Sequence, residues 1–289
     1  MRPEVEQAIA TLQRGEPGAA EKALGLLQDT VFSFSMKVCG QREDAEDTMQ
    51  ETLLQTVRKL PSFTSPKALA VWLYKVAKSR CLMSRRKSKF APKEQLSIEV
   101  LMPDRKELER LAAQQATPER AAMGRQSAER LQEVILKLPP DFRLALVLHD
   151  MEELSTEEIA KVLGISEGNV RVRLHRARLF VRNELANTGS RKRARPHTAP
   201  PRPLRCKKLF AELSNYLDQQ LDDSLCDEIE QHIDGCSPCQ VFLASLERTV
   251  AQCRQHRPAP LSAKRAAEIR AALTAEYQRA AAALRSHKA

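Results

Sequence analysis

The sequence predicts an all-α protein, because its composition favours helices and disfavours sheets with tight turns. Only 9 of the 289 residues are glycine and aromatic residues make up 4%, whereas a sheet-rich fold needs more of both. Alanine, leucine, glutamate, arginine, lysine and glutamine, the strongest helix formers, are abundant. The length corresponds to about two or three small domains, and glycine-rich nucleotide-binding motifs are lacking. Sandwiches, barrels and dinucleotide-binding folds are therefore disfavoured.

The net charge of +10 favours a nucleic-acid partner. No apolar run reaches the roughly 18 residues that a transmembrane helix needs, and the first residues lack the apolar stretch of a signal peptide. We therefore expect a cytoplasmic protein without membrane contact. In that reducing compartment, metal binding or burial explains the seven cysteines better than disulfides do.

Proline and charge patterns divide the chain into six segments. The clearest boundary is a linker rich in glycine, serine, proline and arginine that contains no acidic residue. The predicted segments are the domains 1–95 and 127–188, the linkers 96–126 and 189–203, a helical module at 204–255 and a tail at 256–289. Within the module, residues 209–239 contain eight acidic residues and no lysine or arginine.

Residues 155–182 have the pattern of a helix-turn-helix motif. Ser155 is an N-cap residue followed by glutamates, Gly164 ends the first helix, and Ser166 caps a second helix. Apolar residues recur along the second helix at three- and four-residue spacing, and its other surface is polar and basic. That surface consists of Asn169, Arg171, Arg173, His175, Arg176 and Arg178. Arginine contacts guanine and phosphate, and asparagine reads adenine, so we predict a DNA-binding face. A solvated face would leave the preceding helix and turn unexplained.

A second basic helix is predicted at residues 68–86. Its cations suit phosphates, and the rings of Trp72 and Tyr74 suit stacking on exposed bases. The candidate DNA contacts are Trp72, Lys75, Lys78, Arg80, Arg85 and Arg86. Two other interpretations stay open, because the spacing of Trp72 also favours core packing and the basic run could be a solvated helix end.

The C-terminal module contains a metal-ligand pattern formed by His232, Cys236 and Cys239. Two thiolates two residues apart can hold one metal from a tight turn, and the histidine precedes them by one helical turn. Tetrahedral zinc takes a fourth ligand, for which Cys206 is the best candidate. Cys226 and Cys253 are the alternative candidates for this fourth ligand. Four protein ligands would make a structural zinc site. Unpaired buried cysteines or a thiol-redox pair are alternatives, although no βαβ pattern supports the latter.

Three sequence blocks resemble the extracytoplasmic-function (ECF) sigma factors, compact members of the sigma-70 family. They are DAEDxxQExxL at 44–54, WLYKVAxxRCLxxRR at 72–86 and EEIAKVLGISEGNVRVRLHRAR at 157–178. The resemblance covers about residues 5–186. It implies two helical domains that bind core RNA polymerase and promoter DNA.

The resemblance also implies a role for each block. The polymerase clamp would bind an acidic surface, and the helix at 72–87 would hold the melted minus-ten element. The acidic surface consists of Asp44, Asp47, Gln50 and Glu51. The helix at 166–179, beginning with Ser166, would enter the minus-thirty-five major groove. The family often has asparagine and aspartate at Ser79 and Met83, so the minus-ten base preference is not predicted.

The module resembles the zinc-binding anti-sigma domain, which usually inhibits an ECF sigma factor as a separate protein. The resemblance rests on Cys206, the LSNYLDQQL run at 213–221, His232, Cys236 and Cys239, and covers about 204–250. It implies a zinc-containing regulator fused to the sigma factor. The acidic segment could then lie against the basic helices at 72–89 and 166–182.

Two other functions compete with the sigma-factor hypothesis: a helix-turn-helix transcriptional regulator, and a sigma/anti-sigma interaction protein without initiation activity. An enzyme is the weakest hypothesis, because the sequence offers no convincing nucleophile–base pair. The tail is predicted to form an amphipathic helix over 262–286, with Ile269, Leu273 and Tyr277 on one face. We expect this helix to pack on the zinc module, with docking on polymerase or DNA as the alternative.

Overall fold

The computed structural model describes residues 3–14, 17–86, 101, 124–186 and 204–286. The predicted linker 189–203 and most of the linker 96–126 lie outside these residues. Within them the chain forms twelve α-helices and no strand, which confirms the all-α prediction. None of the described helices combines the length and the apolar character required to cross a membrane.

The helices are numbered in chain order. The first four are α1 (Pro3–Arg14), α2 (Ala19–Cys39), α3 (Arg42–Lys59) and α4 (Pro66–Arg86), with a 3-10 turn at Leu60–Ser62. The next four are α5 (Gly124–Lys137), α6 (Pro140–Leu146), α7 (Thr156–Leu163) and α8 (Glu167–Ala186), and a π-helical turn (Val147–Met151) continues α6. The last four are α9 (Leu204–Leu217), α10 (Asp223–Asp234), α11 (Ser237–Gln255) and α12 (Ala263–Ser286).

The ends of α7 are those that the sequence predicts. Ser155 Oγ accepts a hydrogen bond from Glu158 N (3.2 Å), and Glu158 Oε2 accepts one from Ser155 N (2.9 Å), which completes a capping box. Gly164 ends the helix at φ 72°, a left-handed conformation that glycine adopts without steric cost. Local sequence therefore determines this helix and the turn into α8.

The chain folds into two compact units. The first comprises residues 1–91, 147–167 and 257–289, and the second comprises 92–146 and 168–256. The predicted segment 127–188 therefore contributes to both.

In the first unit, α2, α3 and α4 pack around a core that includes Leu27, Leu53 and Leu73. The rings of Phe34 and Tyr74 meet edge to face with centroids 5.1 Å apart, an arrangement that aromatic pairs favour. Cys39 of α2 and Cys81 of α4 form a disulfide bond. Both residues are buried, as expected, but the expectation that they do not form a disulfide is wrong.

The last helix, α12, also belongs to the first unit, where it packs against α2 and α3. The expectation that it packs on the zinc module is therefore wrong. Ile269 and Leu273 are buried, as the amphipathic pattern predicts. Arg265 Nε lies 3.4 Å from Glu46 Oε2 of α3. The apolar face of α12 could pack on several apolar surfaces of the protein. An ion pair such as Arg265–Glu46 favours one of these surfaces over the others.

In the second unit, α8 shares a hydrophobic core with α9, α10 and α11. Leu179 of α8 lies in this core, where the rings of Phe210 and Phe242 have centroids 4.5 Å apart. Other buried members are Leu209, Leu213, Ile229, Leu243 and Leu246. The C-terminal half of α8 is therefore packed against the module that follows it in sequence.

Candidate functional site

The predicted DNA-binding helix, α8, has one face in the core and other faces with different degrees of exposure. Val170 and Leu174 are buried. Ser166 and Asn169 are exposed at the beginning of the helix, and Arg173 and Arg176 are partly exposed. The Arg173 guanidinium lies 3.7 Å from the Asp141 carboxylate. The N-terminal half of α8 therefore presents the polar surface that the sequence predicts.

Arg178, in the C-terminal half of α8, is buried against the module. Its side chain is 0% exposed, and its two terminal nitrogens donate to the two Asp218 carboxylate oxygens at 2.8 Å each. Arg178 also donates to the Ser214 carbonyl oxygen at 3.3 Å. This parallel two-bond geometry is the one with which arginine also binds phosphate and guanine. Asp218 thus occupies the guanidinium hydrogen bonds with which arginine can bind phosphate or guanine.

His175 lies in the same interface. Its Nδ1 is 2.9 Å from Ser214 Oγ, and the imidazole is buried. Burial, together with the charges of Arg178 and Arg176, lowers the pKa of His175 from 6.5 to about 4. The imidazole is therefore neutral at pH 7 while α8 lies against α9.

Two further arginines of α8 contact the module. Arg171 Nε donates to Gln220 Oε1 at 3.0 Å. Arg182 Nε donates to Ser245 Oγ at 2.7 Å, and its guanidinium lies 4.3 Å from the ring centre of Phe242. Sequence reasoning left Arg182 out of the predicted DNA contacts. Arg182 follows Arg178 by four residues, and residues at this spacing lie on the same face of a helix. The sequence therefore indicates that the two side chains share one surface.

The predicted minus-ten helix, α4, has its basic residues in different environments. Lys75 is exposed, whereas Lys78 Nζ donates to the Val162 carbonyl oxygen of α7 at 2.7 Å. Trp72 is half-buried, with Lys59 Nζ 4.0 Å from the ring centre, a cation–π contact. The side chains of Arg85 and Arg86 lie outside the described residues.

Tyr74 of α4 is not available to stack on a base in this structure. It is 1% exposed, and its hydroxyl donates to Glu152 Oε2 at 2.8 Å. The expectation that the Tyr74 ring stacks on an exposed base therefore does not hold in this structure. Aromatic residues on a basic helix serve the core as well as they serve a base, and the sequence pattern does not separate the two.

The predicted polymerase-binding residues lie on α3. Asp47 is exposed, and Asp44, Gln50 and Glu51 are partly exposed. Glu51 Oε1 accepts a hydrogen bond of 2.7 Å from Arg80 of α4, one of the candidate DNA contacts on that helix. Leu54, with 36% exposure, follows this acidic group by one turn. The α3 surface therefore combines acidic side chains with one exposed apolar side chain.

The candidate metal site lies where α10 ends and α11 begins. His232 Nε2 is 3.3 Å from Cys239 Sγ, and the donor atoms of His232, Cys236 and Cys239 all lie within 4.8 Å of one another. One nitrogen and two sulfur donors at such separations fit tetrahedral zinc. The side chain of the fourth predicted ligand, Cys206, lies outside the described residues, although its backbone belongs to α9. Cys226 and Cys253 are described, and neither joins this cluster.

Three family models match the chain in one order. "Sigma-70 region 2" matches residues 25–90, "Sigma-70, region 4" matches 128–181, and "Putative zinc-finger" matches 206–240. The order defines a promoter-recognition factor of the sigma-70 class that carries a C-terminal zinc-finger module of the anti-sigma type.

Individual relatives make the class more specific. The chain is 30% identical over 164 residues to RNA polymerase sigma factor YlaC of Bacillus subtilis (56% of this chain, 90% of the relative). It is 32% identical over 149 residues to ECF RNA polymerase sigma factor SigM of Mycobacterium tuberculosis (51% and 68%). It is 28% identical over 182 residues to ECF RNA polymerase sigma factor SigW of B. subtilis (63% and 96%). The chain belongs to the ECF RNA polymerase sigma factors, which are not enzymes themselves.

Proposed function

We propose that this sigma factor binds core RNA polymerase and promoter DNA, starts transcription in the cytoplasm without catalysing a reaction, and is inhibited in cis by its C-terminal segments. The α3 surface would bind polymerase, and α4 and α8 would bind the promoter. The residues assigned to each surface are those predicted from the sequence. The regulatory part of the proposal rests on contacts within each of the two units.

The observation that carries the cis inhibition is the pairing of Arg178 with Asp218. A guanidinium with 0% exposure and two 2.8 Å bonds to one carboxylate cannot bind a phosphate or a base. Contact of Arg178 with DNA therefore requires that Asp218 leaves. Because a buried charge without a partner is costly, α8 and α9 should separate as a whole.

The acidic composition of the module supports this inhibition. Residues 209–239 carry eight acidic side chains and no lysine or arginine, and they include Asp218, Ser214 and Gln220, which contact α8. A negatively charged surface attracts the same basic side chains as the phosphate backbone does. The module would therefore compete with DNA for α8.

A second inhibitory contact involves α12 on α2 and α3. Gln28 Nε2 donates to the Ala266 carbonyl oxygen at 3.2 Å, and Arg58 Nε lies 3.2 Å from Glu276 Oε1. Glu46, which pairs with Arg265, lies between the proposed polymerase contacts Asp44 and Asp47 in sequence. A polymerase element that approaches α3 along this flank would have to displace α12.

We further infer that His232, Cys236, Cys239 and Cys206 hold a structural zinc ion. Four protein ligands leave no open position for a substrate, so the ion would stabilise the fold of the module. Cys239 and the partly buried Cys236 adjoin the core that includes Leu179 of α8. Loss of the metal should therefore loosen the packing of α8.

The inhibition can be tested by run-off transcription with core polymerase and a promoter library. Asp218→Ala removes the partner of Arg178 and should raise transcription at least tenfold, since breaking a buried pair costs about 3–5 kcal/mol in the closed state. Asp227→Ala is the matched control, because Asp227 is an exposed acid of α10 and its loss changes the net charge equally.

The outcomes separate the two parts of the proposal. Equal activity of wild type, Asp218→Ala and Asp227→Ala would contradict inhibition through Asp218 and leave sigma activity intact. Failure of every variant to bind core polymerase would contradict the sigma function itself. A chain that binds DNA but never polymerase would instead behave as an ordinary helix-turn-helix regulator.

A further inference from the structure

Val172 is an exposed apolar side chain in the first two turns of α8. Its exposed fraction is 45%, and among the described residues the only other exposed large apolar side chain is Leu54. Val172 follows exposed Asn169 by three positions and precedes partly exposed Arg173 and Arg176 by one and four. On a helix these positions form one face, the face with the predicted DNA contacts.

The burial pattern indicates that the core of the motif does not use Val172. The core-facing residues in this part of α8 are Val170, Leu174 and Ala177. All three are buried, and they lie on a different side of the helix from Val172. Valine also has a lower helix propensity than the alanine, glutamate or lysine that commonly occupy a solvated helix surface. Neither core packing nor helix propensity accounts for a valine here.

The chemistry of the major groove offers a ligand for such a side chain. Valine can neither donate nor accept a hydrogen bond, and the only apolar group on the base edges of the major groove is the 5-methyl group of thymine. The N-terminal residues of a recognition helix are those that reach base edges, and Val172 is the sixth residue of α8.

We propose that Val172 is a specificity-determining residue that contacts the 5-methyl group of one thymine in the promoter. This assignment rests on the proposed promoter binding of α8. Asn169, Arg173 and Arg176 would contribute hydrogen bonds and phosphate contacts on the same face, and Val172 would add discrimination for thymine at one position.

The test removes the methyl group from the DNA instead of altering the protein alone. Sequences bound by the full chain, assembled with core polymerase, are selected from a random minus-thirty-five library, and each thymine is then replaced singly by deoxyuridine. At one position the loss of the methyl group should weaken binding about fourfold, the effect of about one buried carbon. For Val172→Ala, the thymine and deoxyuridine probes should bind equally well at that position. For Val172→Ile, the deoxyuridine probe should still bind more weakly, as it does for the wild type.

The comparison is insensitive to inhibition by the C-terminal segments. A closed state lowers the apparent affinity for both probes by the same factor, so the ratio between thymine and deoxyuridine probes reports the contact alone. Glu247→Ala, on the exposed surface of α11, is the control for loss of an exposed side chain, and it should keep the discrimination of the wild type.

The results distinguish this proposal from the one on which it rests. If promoter sequences are selected but no deoxyuridine probe is bound more weakly, or if Val172→Ala discriminates as the wild type does, Val172 does not read a methyl group. If no sequence is selected at all, promoter binding fails and the role of Val172 fails with it.

Discussion

Lys37 of α2 and Glu152, which follows the π-helical turn, form an ion pair of 2.7 Å in which both side chains have 0% exposure. Tyr74 of α4 donates to the second carboxylate oxygen of Glu152 at 2.8 Å. Buried charges require such compensation, because removal from water costs several kcal/mol per ion. The pair therefore ties the segment before the helix-turn-helix to the helices of the first unit.

Loss of one partner should destabilise the first unit strongly. Glu152→Ala leaves the Lys37 ammonium buried without its carboxylate, and we expect the free energy of unfolding to fall by about 3–5 kcal/mol. Urea unfolding followed by Trp72 fluorescence measures this. The double variant Lys37→Met, Glu152→Leu removes both charges and should recover most of the loss. If the single and double variants are equally unstable, the charge pair is not the cause.

The interface of α8 and α9 should weaken in acid. The pKa of His175 is lowered to about 4 in the closed state and returns to about 6.5 when the imidazole meets water. The stabilisation is complete above pH 6.5 and is lost as the pH falls towards 4, with about 2 kcal/mol lost at pH 5.

Hydrogen-exchange protection factors of α9, measured at pH 7.5 and pH 5, report this change because they correct for the intrinsic effect of pH. His175→Gln cannot titrate and should show a smaller difference between the two pH values. An identical difference in wild type and His175→Gln would assign the acid sensitivity to other groups.

Metal analysis should identify the four zinc ligands. The wild type should contain roughly one zinc ion per chain, and Cys236→Ser or Cys206→Ser should lose most of it, because a closed tetrahedral site needs every ligand. Cys226→Ser is the control, since Cys226 does not join the cluster of His232, Cys236 and Cys239. If Cys206→Ser retains the metal, Cys206 is not the fourth ligand.

Weakening of the α12 contact should expose the surface of α2 and α3. Leu273 is 2% exposed, and Leu273→Ala should cost about 2–5 kcal/mol of packing. The full chain should then bind core polymerase more tightly in a pull-down titration. Gln278→Ala, on the exposed side of α12, should bind as the wild type does. Weaker binding of Leu273→Ala would mean that α12 assists the polymerase contact instead of blocking it.

The salt dependence of DNA binding should identify phosphate contacts on α8. Arg173→Ala and Arg176→Ala should each weaken binding to a selected promoter duplex and lower the slope of log K against log salt by about one. Arg248→Ala, an exposed arginine of α11, should leave the slope unchanged. Unchanged slopes for Arg173→Ala and Arg176→Ala would place these residues on a solvated face.

Features that depend on neighbouring residues along the chain could be predicted from the amino-acid sequence. The all-α class follows from composition, and the boundaries of α7 follow from Ser155, Glu158 and Gly164, which act within a few residues of one another. His232, Cys236 and Cys239 likewise lie within eight residues of the chain, and their three donor atoms come within 4.8 Å of one another. Such local patterns can be predicted from the sequence because the residues involved lie close together along the chain.

Which surfaces are covered depends on long-range packing. Arg178 meets Asp218 forty residues away, and Lys37 meets Glu152 at a separation of 115 residues. The apolar face of α12 found α2 and α3 instead of the zinc module. Amphipathic faces of similar composition fit several partners, because the hydrophobic effect has no direction. Only the packed chain selects among them, and in this sigma factor the packing buries Arg178, one of the residues that the sequence predicts to contact DNA.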